Sequence, residues 1–380
     1  MQITRIVLEN WRNFRSVDVA LQRRVFITGP NASGKSNFLD ALRFLRDLAL
    51  PRGGGLQNAV QERQGVSKVR CLSARKYTDV IFEVHLGDEN AASKWVYKLG
   101  FNQDNNQRTI VRQESVRKEG EVLFQRPDSK DQDDRERLTQ TFLEQVSSNK
   151  DFREVADFFN SIRYLHIVPQ LIREPERSVG KISDPFGGDF LEQLAKVPEH
   201  ISRARLRKIT KALKIAVPQL EELRLERDFR GTPHLQGLYQ HWRPKAGWQS
   251  EDQFSDGTLR LLGLLWSYFE GEGPLLLEEP ELSLHPAVVA YIPQMLARLV
   301  RRTSRQVVLS THSGELLRDT GIGAGEVLLL IPSPDGTKIL IAEDDKIITK
   351  LLEGGQTIAD AVLPRTAPKN AHRLPLLDDL

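Results

Sequence analysis

The sequence predicts an α/β fold: a mixed, mostly parallel sheet with flanking helices, carrying an antiparallel β side layer and a small helical subdomain. Three observations lead there. The apolar run RVFITGP enters a glycine-rich turn and then NFLDALRFLRDLAL, whose apolar residues recur at helical spacing, so strand, loop and helix follow in the order of a parallel unit. From Phe254 onward, apolar helices and strands alternate again. Between these halves lie DVIFEVHLGD, KWVYKLGFN, TIVRQESVRK and EVLFQRP, short segments joined by polar turns that read as antiparallel strands.

In chain order, ITRIVLEN reads as a first strand, followed by a polar turn around Trp11 to Arg15 and a second strand around Val17 to Leu21. The helix after the glycine-rich turn stops at Pro51 and Gly53 to Gly55. The run PDSKDQDDRER is polar and charge-dense, and a solvated loop is its expected form. From Phe190 to about Glu226, Leu, Lys, Arg and Glu recur at helical spacing and predict the helical subdomain. After it come a helix TLRLLGLLWSYFEG, a buried strand PLLLEEP, a helix PAVVAYIPQMLARLVRR and a strand QVVLSTHS. The expected units are 1–170, a first lobe with the β-rich layer; 171–253, a helical second lobe; 254–345, the returning part of the head; and 346–380, a tail.

A chain of 380 residues is long enough for two such lobes. Hydrophobic residues at 39% and charged residues at 28% exclude a disordered or fibrous chain. Nothing approaches the roughly 18 consecutive apolar residues of a membrane span, and MQITRIVLENWRNF lacks a signal-peptide apolar core. A cytoplasmic protein without a membrane partner is expected. The single cysteine, Cys71, excludes an intramolecular disulfide framework and fits a reducing compartment. A net charge of +3 leaves room for nucleic-acid contact without requiring it.

Gly29-Pro30-Asn31-Ala32-Ser33-Gly34-Lys35-Ser36 satisfies G-x-x-x-x-G-K-S between a strand and a helix. Glycines let backbone N–H groups close around phosphate oxygens, Lys35 reaches the β/γ-phosphates, and Ser36 offers an oxygen to Mg²⁺. Asn37 follows at the helix start and joins the candidate nucleotide-binding set. Leu275-Leu276-Leu277-Glu278-Glu279-Pro280 is an apolar strand ending in two carboxylates, which opposite a phosphate loop suit Mg²⁺ and water handling. Phe254-Ser255-Asp256-Gly257-Thr258-Leu259-Arg260 sets a hydroxyl and a glycine before a helix; alone this is an ordinary N-cap. His312, in Ser310-Thr311-His312-Ser313, follows an apolar strand, where an imidazole can hydrogen-bond a γ-phosphate.

These four pieces, in this order, resemble the ABC ATPase heads of the SMC, RecF and OLD group, closest to the small RecF-like or OLD-like ATPases of bacterial defence and repair, across nearly the whole chain. The resemblance implies that ATP binds the loop Gly29 to Ser36 and that Ser255, Asp256 and Gly257 form a signature completing the partner subunit's site. It further implies that Glu279 is the general base, Ser283 to His285 lie between the two sites, and His312 is a switch. Tyr164-Leu165-His166-Ile167-Val168-Pro169-Gln170 is similar to the group's glutamine loop, which makes Gln170 a metal and water contact beside Ser36 and Glu278. Glu9 to Arg15 is similar to the opening turn, which makes Arg12 a nucleotide-side residue.

Two departures stand out. Glu278 replaces the usual Asp, and its extra methylene predicts water-mediated metal contact and slow hydrolysis. Asp256 stands where many ABC proteins carry glycine, although S-D-G-T-L-R is similar to small RecF-like ATPases, and this points away from transporters. The resemblance thus implies an Mg²⁺-dependent ATPase that switches by homodimerisation or higher self-assembly and acts with a separately encoded effector protein. A non-hydrolysing ATP-dependent scaffold and, more remotely, a transporter-coupled ATPase are the other readings.

A Toprim nuclease is not expected, since the tail offers only Glu343, Asp344 and Asp345 after a strand. The helix ISRARLRKITKALK carries Arg203, Arg205, Arg207, Lys208, Lys211 and Lys214 without an acid. A solvated face and non-specific nucleic-acid contact are both open for it; no aromatic residue interleaves for base stacking.

Overall fold

In the computed structural model, residues 1–74, 78–88, 91–178, 184, 186–242 and 247–367 are described. Gln2–Trp11 (β1) and Phe14–Ala20 (β2) form a hairpin, and Arg24–Thr28 (β3) runs through the phosphate loop into Lys35–Ala49 (α1). Val80–Gly87 (β4), Trp95–Gln103 (β5), Thr109–Lys118 (β6) and Glu121–Arg126 (β7) follow, then Arg153–Asn160 (α2), Arg163–Leu165 (β8) and the single turn Pro169–Ile172 (α3). Next come Phe190–Lys196 (α4), Glu199–Ala216 (α5), Leu220–Arg227 (β9), Pro233–Tyr239 (β10) and Trp248–Ser250 (β11). Asp256–Ser267 (α6), Leu275–Glu278 (β12), Ile292–Thr303 (α7), Val307–Ser310 (β13), Val327–Ile331 (β14) and Lys338–Ile341 (β15) return to the head, and Lys346–Glu353 (α8) and Ile358–Thr366 (α9) close the described chain.

The central sheet has the order β15-β14-β3-β13-β12-β8, parallel throughout except for β15. Its inner strands β14, β3, β13 and β12 are apolar on both faces because both are covered. Val25, Ile27, Leu276, Val308 and Leu328 point into one core with α1 and α2, whereas Phe26, Leu275, Leu277, Val307 and Leu309 point into the other with α6, α7 and α9. The first core is closed by the antiparallel sheet β2-β1-β4-β5-β6-β7, whose Trp11, Phe82 and Phe101 ring the α1 residue Phe44. Each such fully buried side chain is worth about 1.5–3 kcal/mol, and together they fix α1, and with it the phosphate loop, between the two sheets.

Three expectations are revised. Residues 171–253 hold the helices α4 and α5 but also the antiparallel sheet β11-β10-β9. LEELRLER is composed of good helix formers, yet Leu223 and Leu225 pair across to Gly237 and Leu235, and this tertiary pairing outweighs propensity. Within the run expected to be a solvated loop, Asp131 is buried and holds the buried Arg126 at 2.9 Å, with Glu114 on its other side. The stretch 346–367 is not a loose tail: α8 and α9 bury Ile348, Ile358 and Val362 in the second core; residues 368–380 lie outside the described residues. No described helix is long and apolar enough to cross a membrane.

Candidate functional site

The phosphate loop is held open by backbone geometry. Ala32 at φ 60° and Gly34 at φ 99° turn it back toward solvent, and a Cβ on Gly34 would strike the Asn13 side chain as well as meet the left-handed penalty. The start of α1 has no side-chain cap, so its first-turn N–H groups are left for an anion. Lys35 folds over the loop, donating from Nζ to the carbonyls of Gly29 and Pro30 at 3.1 Å each. Burial pulls its pKa down, and Glu279, Glu278 and Glu281 oppose that. Asn31, Ala32 and Ser36 are exposed on the open side.

Asn13 organises the loop from behind. Its Nδ2 donates to the Ser33 carbonyl and to Thr337 Oγ1, both at 2.8 Å, and its Oδ1 accepts from Asn37 at 2.8 Å. The neighbouring Arg12, at φ 54°, instead turns to Asp40 on α1 at 3.1 Å. That carboxylate is shared with Arg63 and Arg43, both at 2.8 Å, so Arg12 belongs to a network bracing the helix rather than to the loop. Burial raises the cost of charge on Asp40, but the three guanidinium groups outweigh it and hold its carboxyl below the ordinary range.

Opposite the loop, β12 ends at Glu278, whose Oε1 accepts from Ser36 Oγ at 2.5 Å. Its other oxygen accepts from the Tyr164 hydroxyl, with His166 Nδ1 at 3.9 Å. Tyr164 and His166 sit on and just beyond β8, which pairs in parallel with β12 and so delivers both beside the acid. The Arg43 guanidinium lies over the Tyr164 ring at 5.3 Å. A hydroxyl and a carboxylate meeting on a solvent-facing loop are hard oxygen donors of the kind Mg²⁺ takes, so this pair fits the metal and Glu278 spans the gap in spite of its extra methylene.

Glu279 leaves the strand at φ 42°, a left-handed conformation that is costly for a residue with a Cβ and is typical of functional sites. Its N–H donates to the Ser310 carbonyl at 3.1 Å, tying the strained turn to β13. His312 Nε2 lies 3.4 Å from Glu279 Oε1. Burial and then Lys35 disfavour the imidazolium, with Glu279 opposing, and the net pKa is lowered. Beneath them Glu281 is buried; one oxygen accepts from Thr311 Oγ1 at 2.5 Å and from the His312 N–H at 3.2 Å, and the other has no partner among the described residues.

The candidate signature, Ser255 to Gly257, lies at the start of α6. Ser255 caps α6, accepting from the Thr258 N–H at 3.1 Å, and is exposed. A Cβ on Gly257 would come within 2.5 Å of the Ser283 carbonyl, so glycine lets the signature helix and the segment after the acid pair approach. Ser283 itself is left-handed at φ 61°. Asp256 is held by Arg173 at 2.6 Å, and Gln170 reaches Asp256 at 3.5 Å instead of Glu278. Gln170 therefore lies beside Asp256 and not in the Ser36–Glu278 pair. In the tail, Asp345 caps α8 and pairs with Arg365, a structural use of that carboxylate.

The family described as "AAA domain, putative AbiEii toxin, Type IV TA system" matches residues 24–318. A stretch of 72 residues is 33% identical to the endonuclease GajA of Bacillus cereus (strain VD045), covering 19% of this chain and 12% of that protein. The chain thus spans about an eighth of that curated relative. Among solved structures, an SMC head bound to the C-winged helix domain of ScpA superposes with a TM-score of 0.53 at 14% identity, covering 90% of this chain and 97% of that one. A Pyrococcus furiosus Smc head with an extended coiled coil, bound to the C-terminal domain of ScpA, gives 0.52 at 13% identity, with 93% and 99% covered. The fold is that of the SMC heads, as the motif order implies. With the family match running from β3 through the acid pair and past His312, this chain belongs to the AAA domain family of the putative AbiEii toxin, Type IV TA system description.

Proposed function

We propose that the protein binds and hydrolyses Mg-ATP between two copies of itself and uses the engaged dimer as a switch. One observation carries the reading: Lys35, Ser36, Glu278, Glu279 and His312, drawn from segments up to about 280 residues apart, converge on the open side of one loop, with Ser36 Oγ and Glu278 Oε1 at 2.5 Å. Ser36 and Glu278 would hold Mg²⁺, which when bound neutralises phosphate charge. Lys35 and the uncapped start of α1 bind the phosphates. Glu279, kept close by the neutral His312, orients the attacking water and accepts its proton. Ser255, exposed at the cap of α6, meets the partner's nucleotide, and Gly257 lets that helix start lie close against Ser283.

The family description and the local likeness to an endonuclease support a place in bacterial conflict, either antiphage defence or the handling of broken DNA, with a separately encoded effector held or released by the dimer. The non-hydrolysing scaffold differs in one observable, phosphate release at saturating Mg-ATP. The test is Ser255→Arg, which places a bulky cation at the docking helix without touching the chain's own loop. Phosphate release should be lost and ATP affinity of the monomer retained; parental hydrolysis together with parental dimerisation removes the shared-site mechanism.

A further inference from the structure

We propose that the groove between α5 and the free edge of β9 receives an extended, acidic segment of a partner protein, added as a fourth strand to the small sheet. Among the described residues, β9 has a neighbour on one side only in the order β11-β10-β9. A groove of about 1080 Å³ runs beside it, lined by every residue from Glu221 to Arg227. Side chains of a strand alternate between its faces, so a groove lined by successive residues follows the edge. Alternate residues of an antiparallel strand turn N–H and C=O away from their partner. Along β9 those groups face the groove, the arrangement by which an exposed sheet edge accepts another strand. At about 3.3 Å per residue, an edge of this length accommodates six to eight residues.

The opposite wall sets the chemistry. The six cations of α5 divide by face. Arg205 lies over the Trp266 ring at 5.3 Å and Lys208 over Phe269 at 5.7 Å, so those two are packed against the head. Arg203, Arg207, Lys211 and Lys214 recur at spacings of four, four and three residues, form one stripe, and line the groove exposed. Arg203 pairs with Glu199 of its own helix, and among the described residues the other three have no acidic partner. The floor is apolar, with Leu206 and Leu223 buried.

The β9 wall carries Glu221, Glu222 and Glu226, the last paired with Arg224 at 3.1 Å. A nucleic-acid strand would set its phosphates against these acids and leave the amide edge unused. A peptide strand uses both walls, its backbone on β9 and its carboxylates on the α5 side, with apolar residues between them.

The binding is read directly and without ATP turnover, so a protein that hydrolyses no ATP can still pass this test. A phage-displayed library of random 12-residue peptides is panned on the full-length protein, with counter-selection on the Arg207→Glu/Lys211→Glu double variant. Both positions are exposed, so the fold is retained. Recovered peptides should carry Asp or Glu alternating with apolar residues and lack proline. Synthetic versions should slow amide exchange in residues 221–227 and bind the double variant at least tenfold more weakly. Methylating alternate backbone nitrogens on the edge-facing side should abolish binding. The proposal is overturned if no peptide is recovered, if recovered peptides lack acids or protect another surface, or if methylated peptides bind equally. It is also overturned if a fluorescent dT20 oligonucleotide, in place of the peptides, protects residues 221–227.

Discussion

Replacing Tyr164 with phenylalanine removes one hydroxyl from the site and leaves the ring under Arg43 in place. That hydroxyl donates to Glu278 Oε2 while Ser36 occupies Oε1 at 2.5 Å, so the carboxylate is fixed from both ends. Tyr164 is partly buried, and burial followed by the charge of Glu278 pushes its pKa well up, so it remains a donor at any working pH. A hydrogen bond to a charged group is worth about 1.5–3 kcal/mol net, which corresponds to roughly ten- to a hundredfold in an equilibrium constant. The loss should fall on the divalent cation, since Tyr164 touches Glu278 and not the phosphate loop. Calorimetric ATP titrations at stepped Mg²⁺ concentrations, with Mn²⁺ paramagnetic resonance as a second readout, should show the metal requirement rising by about that factor. Metal-free ATP affinity should hold, and the melting temperature should fall modestly with the lost hydrogen bond. An unchanged Mg²⁺ and Mn²⁺ dependence in a folded Tyr164→Phe protein would refute the positioning role.

Lys35→Ala should abolish tight Mg-ATP binding by calorimetry, since the β/γ-phosphates lose their side-chain cation. Asp40→Asn should destabilise the fold by about 3 kcal/mol, because it leaves Arg63 buried against one remaining acid, Asp47. Asp40's folded-state pKa is depressed, so its stabilisation is present above the unfolded value near 3.8 and lost as pH falls through the lower folded value. Acid melts should therefore separate parent and variant above pH 4 and converge only as pH falls through that lower folded value. With the His312 pKa lowered by burial and by Lys35, the acid limb of the pH–rate profile for hydrolysis should lie below the ordinary imidazole value of 6.5.

Much of the candidate site is legible in the chain because its motifs are local. A glycine-rich turn before a helix, an apolar strand ending in two acids, and a histidine after another apolar strand each carry their meaning within a few residues. What joins them is not local. Asn13 braces the loop through contacts with Ser33, Asn37 and, 324 residues away, Thr337, and nothing in the turn WRNF marks it over its neighbour Arg12. Tyr164 gains its role from the parallel pairing of β8 with β12, which no spacing reveals. Glu281 looks like one more acid of a polar turn until burial beneath Thr311 and His312 is known. The strand β9 is hidden because Leu, Glu and Arg favour helix alone, and only β10 makes the extended form worthwhile.

The central claim is that nucleotide joins two copies of this chain at a shared site. It is tested most directly by sedimentation velocity on Glu279→Gln with saturating Mg-ATP, alongside phosphate release. General-base catalysis contributes roughly two to four orders of magnitude, so this variant should bind ATP, turn over slower by that factor, and sediment as a dimer holding one ATP per chain. A variant that binds ATP yet stays monomeric, or hydrolyses it at the parental rate, would contradict the account.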